Sequence, residues 1–269
     1  MPPELEQSLR NNVLDRLAND EVAISMVVRL VQSIEIATIA KAAGFDAFYV
    51  DLEHCAFSLE TTSQICIAAL GAGITPLVRV PNFEPEFVSR VLDGGALGII
   101  APHVSSASDA RLVVQNAKFA PSGNRSVTVG LPHFRFQTWP LVEARRTLNA
   151  ATMVVAMIET EQGLAKADEI AAVDGVDILM IGTNDLCAEM GIDGQFDHRK
   201  VRDAYARVIE ATRRHGKFTG IGGLASNPVL IEQFVRLGAR FVSSGADLAF
   251  LLSAAQSRAA KLRELQTSR

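Results

Sequence analysis

A chain of 269 residues is long for one ordinary domain and short for two, but it is the usual size of a single α/β barrel. With 48% hydrophobic and 21% charged residues it has a core-forming balance, which excludes disorder as the main state. The net charge of −4, from 26 basic and 30 acidic side chains, excludes a general binder of nucleic-acid backbones.

The chain opens on MPPELEQSLRNN, which has neither the basic start nor the apolar run of a signal peptide. Residues 1–21 are expected to hold a helix (3–19) ahead of the first strand. Short apolar, β-branched runs then alternate with segments of helical spacing. Strands are expected at 23–29 (AISMVVR), 47–52 (AFYVDL), 76–80 (PLVRV), 97–101 (LGIIA), 153–158 (MVVAMI), 177–182 (DILMIG), 218–222 (FTGIG) and 240–244 (RFVSS). Continuous apolar runs of this kind suit parallel strands buried on both faces. Between them, residues 198–216 place Val201, Tyr205, Val208, Ile209 and Thr212 on one helical stripe. Four strands are entered through a shared phrase (AGFDAFYVD, GGALGIIAP, DGVDILMIG, LGARFVSSG), with a glycine at the helix stop and then an apolar run.

Eight such units predict a (β/α)8 barrel spanning 1–269 as one domain. Neither GxGxxG after an early strand nor GxxxxGK[ST] occurs, so nucleotide binding has no motif support. Residues 121–150 break the rhythm and are expected to be an irregular insertion: a lid, an interface element or a small subdomain. No run approaches the ~18 apolar residues of a membrane span. The three cysteines, Cys55, Cys66 and Cys187, lack CxxC spacing and suit a reducing cytoplasm.

In a barrel, reactive groups sit where strands end. Here the ends carry Asp51-Leu52-Glu53-His54, Arg79, Pro102-His103, Glu159-Thr160-Glu161 and Thr183-Asn184-Asp185. Glu159 and Asp185 are 26 residues apart, about one βα unit, which puts them on adjacent strands. Two such carboxylates suit a hard divalent ion, and equally they suit caps for the following helices. His54, beside Glu53 and near Asp51, reads as a general base or as a structural hydrogen-bonder. Arg79, ending an apolar strand, needs an anion, either a structural carboxylate or a substrate oxyanion. His103, His198 and His215 read as structural or solvated, His133 is undecided, and Cys187 reads as packed.

The runs YVDLEHCAFSLETT, ITPLVRVPN, VLDGGALGIIAPHV, FAPSGNRSV, VAMIETEQGLAKADEIAAVDGVDILMIGTNDLCAEMG and LGARFVSSGAD resemble, in order and spacing, the HpcH/HpaI aldolase family. The likeness covers about residues 22–255, and D-x-E-H, L-V-R-x-P, I-E-T and I-G-x-x-D-L are specific in combination. These are class II pyruvate aldolases whose type member cleaves a 4-hydroxy-2-oxoheptanedioate. The resemblance implies a (β/α)8 barrel in a homohexamer, a trimer of dimers, whose last helix packs on or swaps with a neighbour.

It further implies Mg²⁺, Mn²⁺ or Co²⁺ on Glu159 and Asp185, and His54, backed by Asp51, as acid/base. Arg79 would hold the keto oxygen of pyruvate, and the backbone of Gly182, Thr183 and Asn184 its carboxylate. Asp93 would reach a neighbouring subunit's site. Its partners would be a 2-oxo acid and an aldehyde, with no nucleic acid and no membrane. These strand ends carry no lysine, which favours a metal route over an imine.

The chain departs from the family at Met157, where Gln is usual, and at Cys187 in D-L-C. It departs again at Arg125-Ser126 and at Pro81-Asn82-Phe83-Glu84. Two other readings are a citrate-lyase-β-like acyl-CoA lyase and a catalytically silent binding or assembly barrel.

Overall fold

A computed structural model describes residues 9–265. The apolar runs become β1 (Ala23–Val28), β2 (Ala47–Asp51), β3 (Thr75–Arg79), β4 (Gly98–Ala101), β5 (Met153–Ile158), β6 (Ile178–Gly182), β7 (Phe218–Gly222) and β8 (Phe241–Ala246). All pair in parallel and close in chain order into one barrel, with β8 against β1. This is the expected (β/α)8 architecture. Gly44 and Gly175, at the helix-to-strand corners, hold φ of 92° and 90°, where a side chain would be strained. The stripe foreseen on 198–216 is the buried face of the helix Arg199–Arg214.

Strand side chains alternate between two surroundings. Val154, Ala156 and Ile158 face the outer helices, in the same cluster as Val78, Ile99 and Leu179. Met153, Val155 and Met157 fill the barrel with Ala47, Tyr49, Leu77, Ile100, Ile178 and Met180. One more step along the inward rows of β1, β2, β3 and β5 reaches the strands' C-terminal ends, and there the residues turn polar. That switch positions the site.

The opposite end is plugged. The helix Asn12–Ala18 sends Val13 and Leu17 into the interior cluster. Its start is set by Asn11, whose side chain accepts from Val13 and Leu14 N–H and donates to the carbonyls of Leu97 and Ala151. Of the helix expected over 3–19, the described residues form Asn12–Ala18, started by the Asn11 cap; residues 3–8 of that expectation lie outside the described residues.

The 121–150 insertion is likewise more ordered than its composition suggested. It contains a 3-10 turn, Pro132–Phe134, and a regular helix, Leu141–Ala151. Phe119, Leu131, Phe134 and Leu148 pack with Leu9 and Leu97 at the plugged end, so this core of the segment is not a lid over the strand C-termini. The undecided His133 is buried there with Nε2 3.1 Å from the Ala96 carbonyl, and burial pushes its pKa down to about 4.

The chain's last described helix, Asp247–Glu264, buries only Asp247. That carboxylate accepts the N–H groups of Arg29, Leu30, Val31 and Leu248, tying the end of β1 to the end of β8. Leu248, Leu251 and Leu252 stay 50%, 60% and 53% exposed. Among the described residues no helix is long and apolar enough to cross a membrane.

Because His133 must remain neutral when folded, the unfolded chain binds the extra proton between its ordinary pKa of 6.5 and about 4. This contribution is intact above pH 6.5 and shrinks as pH falls to 4, by up to about 3 kcal/mol. Urea denaturation from pH 7.5 to 4 should show His133→Gln losing less stability over that window than the wild type. Parallel curves would refute the assignment.

Candidate active site

The inward rows end on Arg29 after Val27 (β1), Asp51 after Tyr49 (β2), Arg79 after Leu77 (β3), Glu159 after Met157 (β5) and Gly182 after Met180 (β6). Asp51 and Arg79 are direct register partners across β2 and β3. Their side chains form a bidentate pair, Nε to Oδ1 at 3.0 Å and Nη2 to Oδ2 at 2.7 Å. Burial opposes the charge on each, yet the pairing outweighs it: the Asp51 carboxyl is held below its ordinary range and the Arg79 pKa above its own. Asp51 also accepts the backbone N–H groups of Glu53 and His54, fixing the turn after β2. Asp51 thus meets the backbone of His54, while the carboxylate near the His54 ring is Glu53, at 3.5 Å.

Arg79 Nη1 lies 2.8 Å from Glu53 Oε2, an ion pair without hydrogen-bond alignment, since that buried oxygen has no hydrogen-bond partner. Nη1 therefore faces Glu53 across an ion pair, and Arg79 also lines the cavity at the barrel mouth.

Glu159 is buried at the end of β5, and burial pushes its carboxyl up, with Glu53 and Asp185 adding like charge against the pull of His103. Its Oε2 accepts the backbone N–H of His103 at 2.8 Å. Space for Glu159 exists because residue 182 is glycine: a Cβ there would lie 2.5 Å from Oε1. Neither acidic residue caps a helix. Thr160 caps the one after β5, accepting from Gly163, and Asp185 sits within the first turn of Thr183–Glu189.

Thr183 turns its hydroxyl away, donating to the Gly222 carbonyl at 2.6 Å, so only its backbone faces the opening. Gly223, at φ 80°, gives way to Asn184, whose Nδ2 would lie 2.9 Å from a Cβ. A cavity of about 190 Å³ joins Arg29, His54, Arg79, Met157 and the 182–185 turn.

A sequence profile described as HpcH/HpaI aldolase/citrate lyase matches residues 25–254. The chain belongs to that family. By family it is an aldolase-type lyase. A 4-hydroxy-4-methyl-2-oxoglutarate aldolase of Hapsidospora irregularis is 40% identical over 96% of this chain and 97% of its own length. A 5-keto-4-deoxy-D-glucarate aldolase of Enterobacter sp. is 33% identical over 89% of this chain and 92% of its own. Among solved structures, an HpcH/HpaI aldolase from Desulfitobacterium hafniense superposes with a TM-score of 0.88 at 31% identity, covering 93% of this chain and 96% of that one.

In this HpcH/HpaI chain, Asp51, His54, Arg79, Glu159 and the 182–185 turn come together at one mouth. Asp93 does not join them. It ends the helix Pro85–Asp93, and its Oδ1 accepts from the buried Arg125 at 2.6 Å, on the side of Phe119 and the plugged end. His103 corrects the structural reading given it above. Held at φ 54°, its ring lies 3.1 Å from Glu53 and 3.3 Å from Glu159. His215 is paired with Asp168, and His198 caps its helix by accepting from Lys200. Cys187 is packed, as expected.

Of the charged neighbours at this mouth, Arg29 was not singled out from the sequence, and Glu53 and His103 were named there without a role of their own. Counting by twos from Val27 would have found Arg29.

Removing Arg79 takes the bidentate partner from the buried Asp51 and the guanidinium from Glu53. Arg79→Ala should lose about 3–5 kcal/mol of stability in urea denaturation followed through Trp139, and Arg79→Lys less. A loss under 1 kcal/mol would show that the pair carries no such charge.

Proposed function

We propose that the protein is a divalent-metal-dependent aldolase that reversibly cleaves a 4-hydroxy-2-oxo acid to pyruvate, or a close 2-oxo acid, and an aldehyde. It would stand among the aldehyde- or oxo-acid-lyases. The observation that carries this reading is the convergence of Asp185 and Arg79 on one small cavity, with Glu159 seated behind its wall against Gly182. The donor set fits a hard ion: two carboxylate groups, one buried and seated against Gly182, suit Mg²⁺, Mn²⁺ or Co²⁺ that keeps positions for water and substrate oxygens. When bound, that ion supplies Lewis-acid polarisation of the 2-oxo group.

The chain's own residues do the rest. Backbone N–H groups of Gly182, Thr183 and Asn184, at a helix start where they lack intrahelical acceptors, take the substrate carboxylate. Arg79 Nη1 donates to the 2-oxo oxygen and stabilises the negative charge that develops there as the C3–C4 bond breaks. His54 takes the proton from the C4 hydroxyl; the C3–C4 electron pair becomes the enolate, which is protonated at C3 to give pyruvate. Asp51 positions both, holding the Arg79 guanidinium and the His54 backbone. Met157, replacing the family's usual Gln, gives this wall an apolar surface.

The exposed leucines of Asp247–Glu264 support assembly into the family's hexamer, a trimer of dimers in which this helix packs on a neighbour. Asp93, lying away from its own site, is available to a neighbouring one. The three free cysteines suit a reducing compartment such as the cytoplasm.

Pyruvate release from 4-hydroxy-2-oxo acids should vanish on EDTA treatment and return with Mg²⁺, Mn²⁺ or Co²⁺; turnover that survives thorough metal removal sinks the mechanism. His54→Ala should lose at least about a hundredfold in kcat while titrating metal like the wild type. Equal loss of metal binding would show that His54 is misassigned. Leu251→Asp with Leu252→Asp should shift sedimentation to smaller species, whereas an unchanged profile would remove the helix from the interface.

A further inference from the structure

The cavity has two chemically different walls. One carries Asp185 and the 182–184 backbone, next to Glu159; the other, formed by β1, β2 and β8, carries Arg29, Tyr49 and Ser243. The aldolase reading uses the first wall and leaves the second without a task.

Arg29 closes the inward row of β1. Its backbone is fixed, because Asp247 Oδ1 accepts its N–H at 3.0 Å. Its side chain is 41% exposed, and its nearest acid is Asp51, with Nε 3.2 Å from Oδ2. Yet Asp51 is already committed: Arg79 takes both its oxygens, and two backbone N–H groups share Oδ1. One carboxylate thus faces two guanidinium groups. Arg79 has Glu53 as a second anion, whereas among the described residues Arg29 has no second carboxylate within ion-pair distance and its guanidinium donates no hydrogen bond. Beside it, Tyr49 and Ser243 pair hydroxyl to hydroxyl at 3.1 Å and line the same cavity. A guanidinium anchored through Nε, with both Nη groups donating to no carboxylate and two hydroxyls beside it, is the chemistry of carboxylate recognition.

We infer that Arg29 is the substrate-recognition residue for a second carboxylate, borne on the carbonyl fragment that cleavage releases. The substrate is then a dicarboxylate anchored at both ends: one carboxylate at the β6 turn, the other at β1, and Arg79 between them on the 2-oxo oxygen. The fragment leaving from the β1 side is itself an oxo acid, not a neutral aldehyde. This rests on the aldolase reading for the position of the first carboxylate.

The test is condensation of pyruvate with a charged acceptor, glyoxylate, against a neutral one of similar size, glycolaldehyde, by wild-type, R29Q and R29K enzyme. Wild type should favour glyoxylate in kcat/KM. R29Q should cut that preference by about thirtyfold, chiefly through KM, and R29K by less. Equal losses on both acceptors would mean that Arg29 only steadies Asp51, and would overturn the proposal, as would a wild type indifferent to acceptor charge. If R29Q does not fold, R29K carries the same comparison. Deuterium exchange at C3 of pyruvate, with no acceptor present, reads the donor half separately in the wild type. Exchange without acceptor preference rejects the role of Arg29, and no exchange rejects the aldolase reading beneath it.

Discussion

Asp51 and Arg79 are lateral neighbours in the parallel pairing of β2 with β3, and the mouth of the barrel is arranged around the ion pair that this register makes. A slip of one residue would turn one partner toward the outer helices and leave the other charged and buried. Taking two charges out of water costs much of what their attraction returns, so the pair adds little net stability while penalising every register but one. It also leaves Nη1 of the guanidinium outside the bidentate pair, facing Glu53 at the edge of the cavity. A rigid donor aimed at a cavity costs little reorganisation when charge builds up nearby.

Around that pair the charge is divided. Glu53, Glu159 and Asp185 gather on the side of β5 and β6, where like charge and burial make a second cation welcome. Arg29 and Arg79 share Asp51 on the other side, where an anion is welcome. A molecule with an electron-rich oxygen at its centre and negative charge at its ends suits both. The net charge of −4 says nothing of this, because it sums over a surface far larger than the mouth.

Most of the fold was legible because each strand is buried on both faces and so reads as an unbroken apolar run. Asp51, Arg79, Glu159 and Asp185 were legible as polar residues at the ends of those runs. The misses have physical causes. Arg29 looked like the polar edge of β1, and only the inward alternation distinguishes it from a solvated end. His103 enters the site through a left-handed φ and a backbone hydrogen bond to Glu159, neither of which leaves a trace in residue type. The 121–150 segment looked loop-like because its buried members, Leu131, Phe134 and Leu148, are spread among polar residues and find their partners in Leu9 and Leu97, far away in sequence. Asp93 matched a family motif, but a motif does not show that its side chain is turned to Arg125, away from the mouth.

The plug made by Asn12–Ala18 has a consequence for traffic. With Val13 and Leu17 closing one end and side chains filling the interior, the described residues leave the site open only at the strand C-termini. Whatever is consumed and both fragments produced must cross the same rim, past the same two arginines, and neither fragment has a back exit. Turnover then includes a queue, in which the more tightly held fragment blocks re-entry until it departs.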